Sequence, residues 1–148
     1  MMVRYWLPLA VWLAVILFES TPAASSANTR HLLLGALNWL LGTANSGAVD
    51  LLNFALRKSG HFLGYGLLGV LFFRALHATS RAAAGTLAAW SVGLTLVVAS
   101  LDEFHQSFIP SREGSVRDVL LDTVGAVCLL SIVLAYLHFR QRSWRVAA

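Results

Sequence analysis

The stretch VLLDTVGAVCLLSIVLAYLHF, Val119 to Phe139, decides what kind of chain this is. It holds one acid, Asp122, and no Lys or Arg. Its length matches the about 20 apolar residues that a bilayer-spanning helix needs. Three further runs have the same character. They are YWLPLAVWLAVILF (Tyr5 to Phe18), GHFLGYGLLGVLFFRALH (Gly60 to His77) and GTLAAWSVGLTLVVASL (Gly85 to Leu101). Each predicts a membrane helix, the first running on through Ser20 and Thr21 towards Pro22. Arg4, the apolar run and the small residues of PAASSA also fit a secretory signal peptide. We read the first run as a retained helix, because the later spans need topological pairing.

Composition supports a membrane protein. Of 148 residues 57% are hydrophobic and 12% charged, against about 45–50% and about 25% in soluble domains. With a mean hydropathy of +0.69, too few polar side chains exist to cover a water-facing surface. The length suits one domain, residues 1–148. A net charge of +4 would suggest nucleic acid in a soluble protein, but no basic run is interleaved with aromatics, so no nucleic-acid partner is expected. The lone cysteine, Cys128, rules out an intrachain disulfide and is expected as a buried packing residue.

Between the first two spans lie STPAASSANT, RHLLLGALNWLLG and VDLLNFALRK. The last two are too short and interrupted to cross a bilayer, and they predict interfacial or re-entrant helices, with Asp50 capping the second and Trp39 as an interface anchor. The glycines, among them the Gly60/Gly64 pair, are expected at close helix contacts. The architecture expected is therefore all-α: a four-span bundle with an amphipathic outer segment between the first two spans.

The charges orient it. Arg4, the second connection (Arg74, Arg81) and the tail (Arg140, Arg142, Arg145) carry cations and no acid, which places both termini in the cytoplasm. The other connections hold all seven acids, five of them inside SLDEFHQSFIPSREGSVRDVLLD, Ser100 to Asp122. The same outer level carries Lys58, His61 and Tyr65, spaced along one helical face. So Asp102 and Glu103 are expected to meet Lys58, His61 and Arg112, with Lys58 and Glu103 as one electrostatic pair. Asp118 starts or caps the fourth span. Asp122, a turn deeper, needs Arg112, Lys58 or a proton.

The blocks KSGHFLGYGLLG and LDEFHQSFIPSREGSVRDVLLDTVGA resemble the VanZ-like family of small bacterial membrane proteins. Lys58, His61, Phe62 and Tyr65 match its first block. Asp102, Glu103, Gln106, Phe108, Pro110, Arg112, Asp118 and Gly125 match its second, and Ser20 with Pro22 fits a preceding helix end. Asp122 stands where the resemblance leads one to expect Asn. The resemblance implies a membrane fold and a link to teicoplanin resistance, and it assigns no reaction.

The leading functional expectation is recognition of an amphiphilic or anionic envelope molecule at the outer membrane face. A phospholipid, a cell-wall lipid precursor and a lipophilic glycopeptide such as teicoplanin are the candidates. Lys58, Arg112 and His61 would hold its head group, with Tyr65, Asp102, Glu103, Gln106 and Asp118 shaping the pocket. A membrane enzyme acting on a lipid head group is the alternative, with His61 or Glu103 as general base. A structural subunit of an envelope assembly is the third reading. Ser59, Ser100, Ser107, Ser111 and Ser115 lie nearby, but no spacing marks a nucleophile. His61, Asp102, Glu103 and His105 lack any HExxH-like spacing, so no metal and no cofactor is expected. His105 is expected as a solvated loop residue.

Overall fold

The helices that begin at Ser26 and Ser46 start where a small polar side chain caps them. The Ser25 hydroxyl accepts from the Asn28 N–H and the Asn45 side chain from the Ala48 N–H. The computed structural model describes residues 2–43, 45–110, 112 and 114–146, with backbone alone for Ala24 and 141–146. Ser111 and Glu113 thus lie outside the described residues. Those described are all-helical apart from connections: α1 (Val3–Glu19), a 3-10 turn (Pro22–Ala24), α2 (Ser26–Leu41), α3 (Ser46–Thr79), α4 (Ala84–Gln106) and α5 (Val116–Val146).

Two boundaries differ from expectation. VDLLNFALRK is not a separate interfacial piece but the first turns of α3, which runs unbroken for 34 residues. Ser59-Gly60 looks like a breaker pair, yet an isolated glycine costs a helix interior only about 1 kcal/mol and does not stop it. Asp50 consequently caps nothing. It lies inside α3 and pairs with Arg30 of α2, while Asn45 makes the cap. At the other boundary α4 continues a turn past Leu101, so Asp102, Glu103 and Gln106 are helical.

Among the described residues three helices are long and apolar enough to cross a membrane: α3, α4 and Val116–Arg140 of α5. α1, with 17 residues and Pro8 inside it, is shorter. It runs antiparallel to α3, since Trp12 Nε1–H donates to Gly64 O at 2.8 Å and the Arg74 guanidinium lies over the Tyr5 ring. None of the described side chains of α2 is buried.

The packing is inside-out relative to a soluble bundle. The buried stripe of α4 is Leu87, Ser91, Thr95, Ala99, Asp102, Glu103 and Gln106, mostly small or polar. Its outward face carries Trp90, Leu94, Val97, Leu101 and Phe104. Ser91 and Thr95 satisfy their hydroxyls on the carbonyls of Leu87 and Ser91, so they cost nothing inside and let neighbouring backbones approach. Cys128 is exposed on the outside of α5 rather than buried. An apolar run reads the same whether it faces lipid or core.

The parallel pair α3 and α5 makes the closest approach. A Cβ on Gly125 would collide with Phe62 O, one on Gly66 would meet Leu129 and Gly125 O, and one on Gly69 would touch Ala126. Gly60 and Gly64, read from sequence as a packing pair, have nothing within 4 Å of such an atom. They leave space open instead of closing a contact. Gly125→Ala should therefore lower thermal stability in detergent, on the order of 1–3 kcal/mol, because a backbone oxygen cannot rotate away. Gly64→Ala should leave the melting temperature unchanged or slightly raised.

Candidate functional site

Four helices bring polar groups to one end of the bundle: the last turn of α1, the middle of α3, the last turns of α4 and the first turns of α5. Asp102 of α4 is 7% exposed and accepts three hydrogen bonds from neutral donors. These are the Ser20 hydroxyl just past α1, the Tyr65 hydroxyl of α3 at 2.8 Å, and Gln106 Nε2 of α4 itself at 2.9 Å. The spacing of Asp102 and Gln106, four apart, places that amide over the carboxylate. One side chain thus joins α1, α3 and α4.

Glu103, the next residue, turns towards α5. Its Oε2 accepts from the Ser115 backbone N–H at 2.8 Å. The link into α5 passes so close beneath α4 that a Cβ on Gly114 would strike Glu103 O. Glycine is needed there for lack of room. Glu103 Oε1 is buried with no hydrogen-bond partner among the described residues.

Two pairs join α3 to α5. Lys58 binds Asp118, not Glu103, in a partly exposed ion pair. His61 faces Asp122, whose two carboxylate oxygens both lie 3.3 Å from Nδ1. One is placed to share a hydrogen bond. The other, Oδ1, has no partner among the described residues, although Asp122 is fully buried. The partner of Asp122 is therefore a histidine rather than the expected Arg112 or Lys58. The His61 ring stacks on Tyr65 at 6.0 Å, four residues along α3.

Arg112 reaches back across the end of α1, donating to the carbonyls of Glu19 and Thr21. Helix C-termini leave carbonyls without partners, and a guanidinium can cap them. Burial, and after it the nearby Arg57, hold the Arg112 pKa below its ordinary value. Both arginines line a cleft shared with Glu19, Thr29, Leu56, Gly60 and His61. It continues inward past Ser20, Gly64, Tyr65, Asp102 and Gln106. The two glycines without packing neighbours, Gly60 and Gly64, are part of its wall.

Lys58, His61, Tyr65, Asp102, Glu103, Gln106 and Asp118 thus lie at one end of the bundle, with Arg112 on the rim of the cleft, although the pairs they form differ from those expected. His105 is exposed, on the last turn of α4 rather than in a loop. Sequence reasoning missed the His61–Asp122 pair and the donors from α1. The signal for the pair was present, since an acid a turn inside a span must find a partner from another helix.

Removing one donor to Asp102 leaves a buried carboxylate oxygen short of a partner. Tyr65→Phe and Ser20→Ala should each cost about 1–3 kcal/mol in detergent unfolding. The two effects should be non-additive, since both act on one carboxylate. Unchanged melting of both variants would show that Asp102 does not hold the helices together.

No curated protein and no solved structure matches the chain. The family model for VanZ/LLP1 matches residues 5–139. That match takes in α1 to α4 and most of α5, together with every residue of the site just described. With three helices able to cross a bilayer, this is a membrane protein, and it belongs to the VanZ/LLP1 family.

Proposed function

We propose that this protein recognises an anionic amphiphile of the cell envelope, with the head group in the cleft between α1, α2 and α3. The observation that carries the reading is that Arg57 and Arg112 line one opening with His61 at its inner wall. Guanidinium groups match phosphate and carboxylate geometry with paired donors. Leu56 and the outward apolar faces of α1 and α3 lie beside that opening, where an acyl or polyprenyl chain can run in lipid. A phospholipid, a lipid-linked cell-wall precursor and a lipophilic glycopeptide all have this chemistry. An antibiotic-resistance role would follow from the last two.

The reading includes a topology. α1, about 26 Å long at 1.5 Å per residue, is the fourth span, slightly short for a hydrocarbon core of about 30 Å. α2 lies at the lipid interface, where Leu32, Trp39, Leu40 and Leu41 are exposed. Phe104 and Phe108, in edge-to-face contact and exposed, form a second apolar anchor. The cation-only ends and connection face the cytoplasm, and the cleft faces outwards.

A second reading, a membrane enzyme acting on a lipid head group, is favoured by one observation. His61 Nδ1 lies against Asp122 as a general base lies against its orienting carboxylate. In that case Asp122 orients His61, and Glu103 stands beside them.

Lipids co-purified with the protein in mild detergent, identified by mass spectrometry, test the first reading. Wild type should retain an anionic lipid species that Arg57→Ala/Arg112→Ala loses, while Arg81→Ala keeps it. Retention of only bulk membrane lipid by all three would reject it. A dephosphorylated or lyso product accumulating on incubation would favour the enzyme. For topology, in a Cys128→Ala background, Ser107→Cys should react with an impermeant maleimide on intact cells. Thr79→Cys should react only after lysis.

A further inference from the structure

Glu103 and Asp122 come from different helices, each at least nine-tenths buried, and each ends in a carboxylate oxygen with no hydrogen-bond partner among the described residues. Orphaned acceptors of this kind are rare in native interiors, and each asks for an occupant. The two carboxylates are also close together, with His61 beside them. One ligand atom each from His61, Glu103 and Asp122 lies within 4.8 Å of the other two.

We propose that His61, Glu103 and Asp122 bind a divalent first-row metal ion, Zn²⁺ or Mn²⁺. The donor set is one imidazole nitrogen and two carboxylate oxygens. Imidazole disfavours Mg²⁺ and Ca²⁺, which prefer all-oxygen shells, and the absence of a thiolate disfavours softer ions. Ligands at about 2.0–2.2 Å from an ion stand roughly 3–4 Å apart, so closing this site needs only a small contraction. The outer contacts are those of a metal site. Glu103 Oε2 is held by the Ser115 N–H, which fixes the carboxylate, while Oε1 is buried with no partner among the described residues. Lys58, the one lysine of the sequence, is engaged by Asp118.

Charge separates an ion from a water molecule. Water could donate to both orphan oxygens, but two carboxylates would then face each other in a low dielectric with one imidazole between them. A divalent ion cancels both. No linear spacing reveals the site, because its ligands lie on α3, α4 and α5. That is why the sequence carries no metal signature and the expectation of no metal followed from it. The site stands independently of the lipid cleft, although His61 also lines the cleft.

The full-length protein in mild detergent, stripped with EDTA and dialysed, is the material for the test. Zn²⁺ and Mn²⁺ are titrated separately, and metal per chain is measured by elemental analysis after gel filtration. Wild type should retain about one ion per chain. Asp122→Asn, which keeps shape and an acceptor for His61, should weaken apparent affinity at least tenfold, and Glu103→Gln should do the same. His31→Ala, His105→Ala and His138→Ala, which remove exposed imidazoles, should change nothing. If Asp122→Asn does not survive extraction as a monodisperse species, His61→Gln takes its place with the same expectation. Less than a tenth of an ion per wild-type chain would overturn the proposal and leave a proton or water as the occupant. Equal retention by wild type and the ligand variants would also overturn it, as adventitious surface binding. The readout involves no lipid, so loss of anionic lipid in the arginine variants neither supports nor weakens it.

Discussion

The end of this bundle depends on one buried carboxylate finding three donors. Asp102 draws the Ser20 hydroxyl from the end of α1, the Tyr65 hydroxyl from α3 and the Gln106 amide from its own helix. Within lipid a hydrophobic driving force between helices is absent, since lipid tails are as apolar as any side chain. A polar node is then one of the few contacts that lipid cannot imitate. It fixes where α1 stops, how deep α4 reaches and which face of α3 turns inward. Once those are set, Glu103 points to the α4–α5 link and Arg112 can close over the carbonyls of α1.

The second constraint is space. α3 and α5 run parallel and in contact from the Phe62–Gly125 crossing to Phe73 and Leu130. Phe62 follows His61 directly and Gly125 lies three residues after Asp122, so backbone contact sets the position of this pair. Close backbone approach brings Asp122 to His61 at all.

The sequence made the apolar helices legible, because a run of about 20 apolar residues has few alternatives. The polar residues were also legible as one group, since charge is costly in lipid and clusters where it can be satisfied. Pairings were not. Lys58 was expected on Glu103 because both are charged and at one level, yet Asp118, on the parallel helix, is the nearer acid to its stem. Rotation of one helix about its axis decides such choices, and a chain nearly uniform in apolar residues carries little record of rotation. The same uniformity misplaced Cys128 and the Gly60/Gly64 pair. A glycine that opens a cleft and one that closes a helix contact are identical letters. Continuity of α3 was hidden for the opposite reason: Ser59 and Gly60 look like punctuation, but flanking helix formers outweigh them.

Charge is layered at this end of the molecule. The acids Asp102, Glu103 and Asp122 lie inside, each buried, and arginines 57 and 112 line the opening above them. In the proposed reading, the two arginines would draw an anionic head group that an interior of acids alone would repel. Inward, Glu103 and Asp122 each end in an oxygen with no hydrogen-bond partner among the described residues, where the proposed cation would sit. His61 stands at the boundary, on the cleft wall by one edge and against Asp122 by the other. A single imidazole thus stands between the arginine-lined opening and the buried acids. On the two proposals together, the ionisable chemistry of an otherwise apolar chain would be collected at this end of the bundle to serve a head group outside and an ion inside.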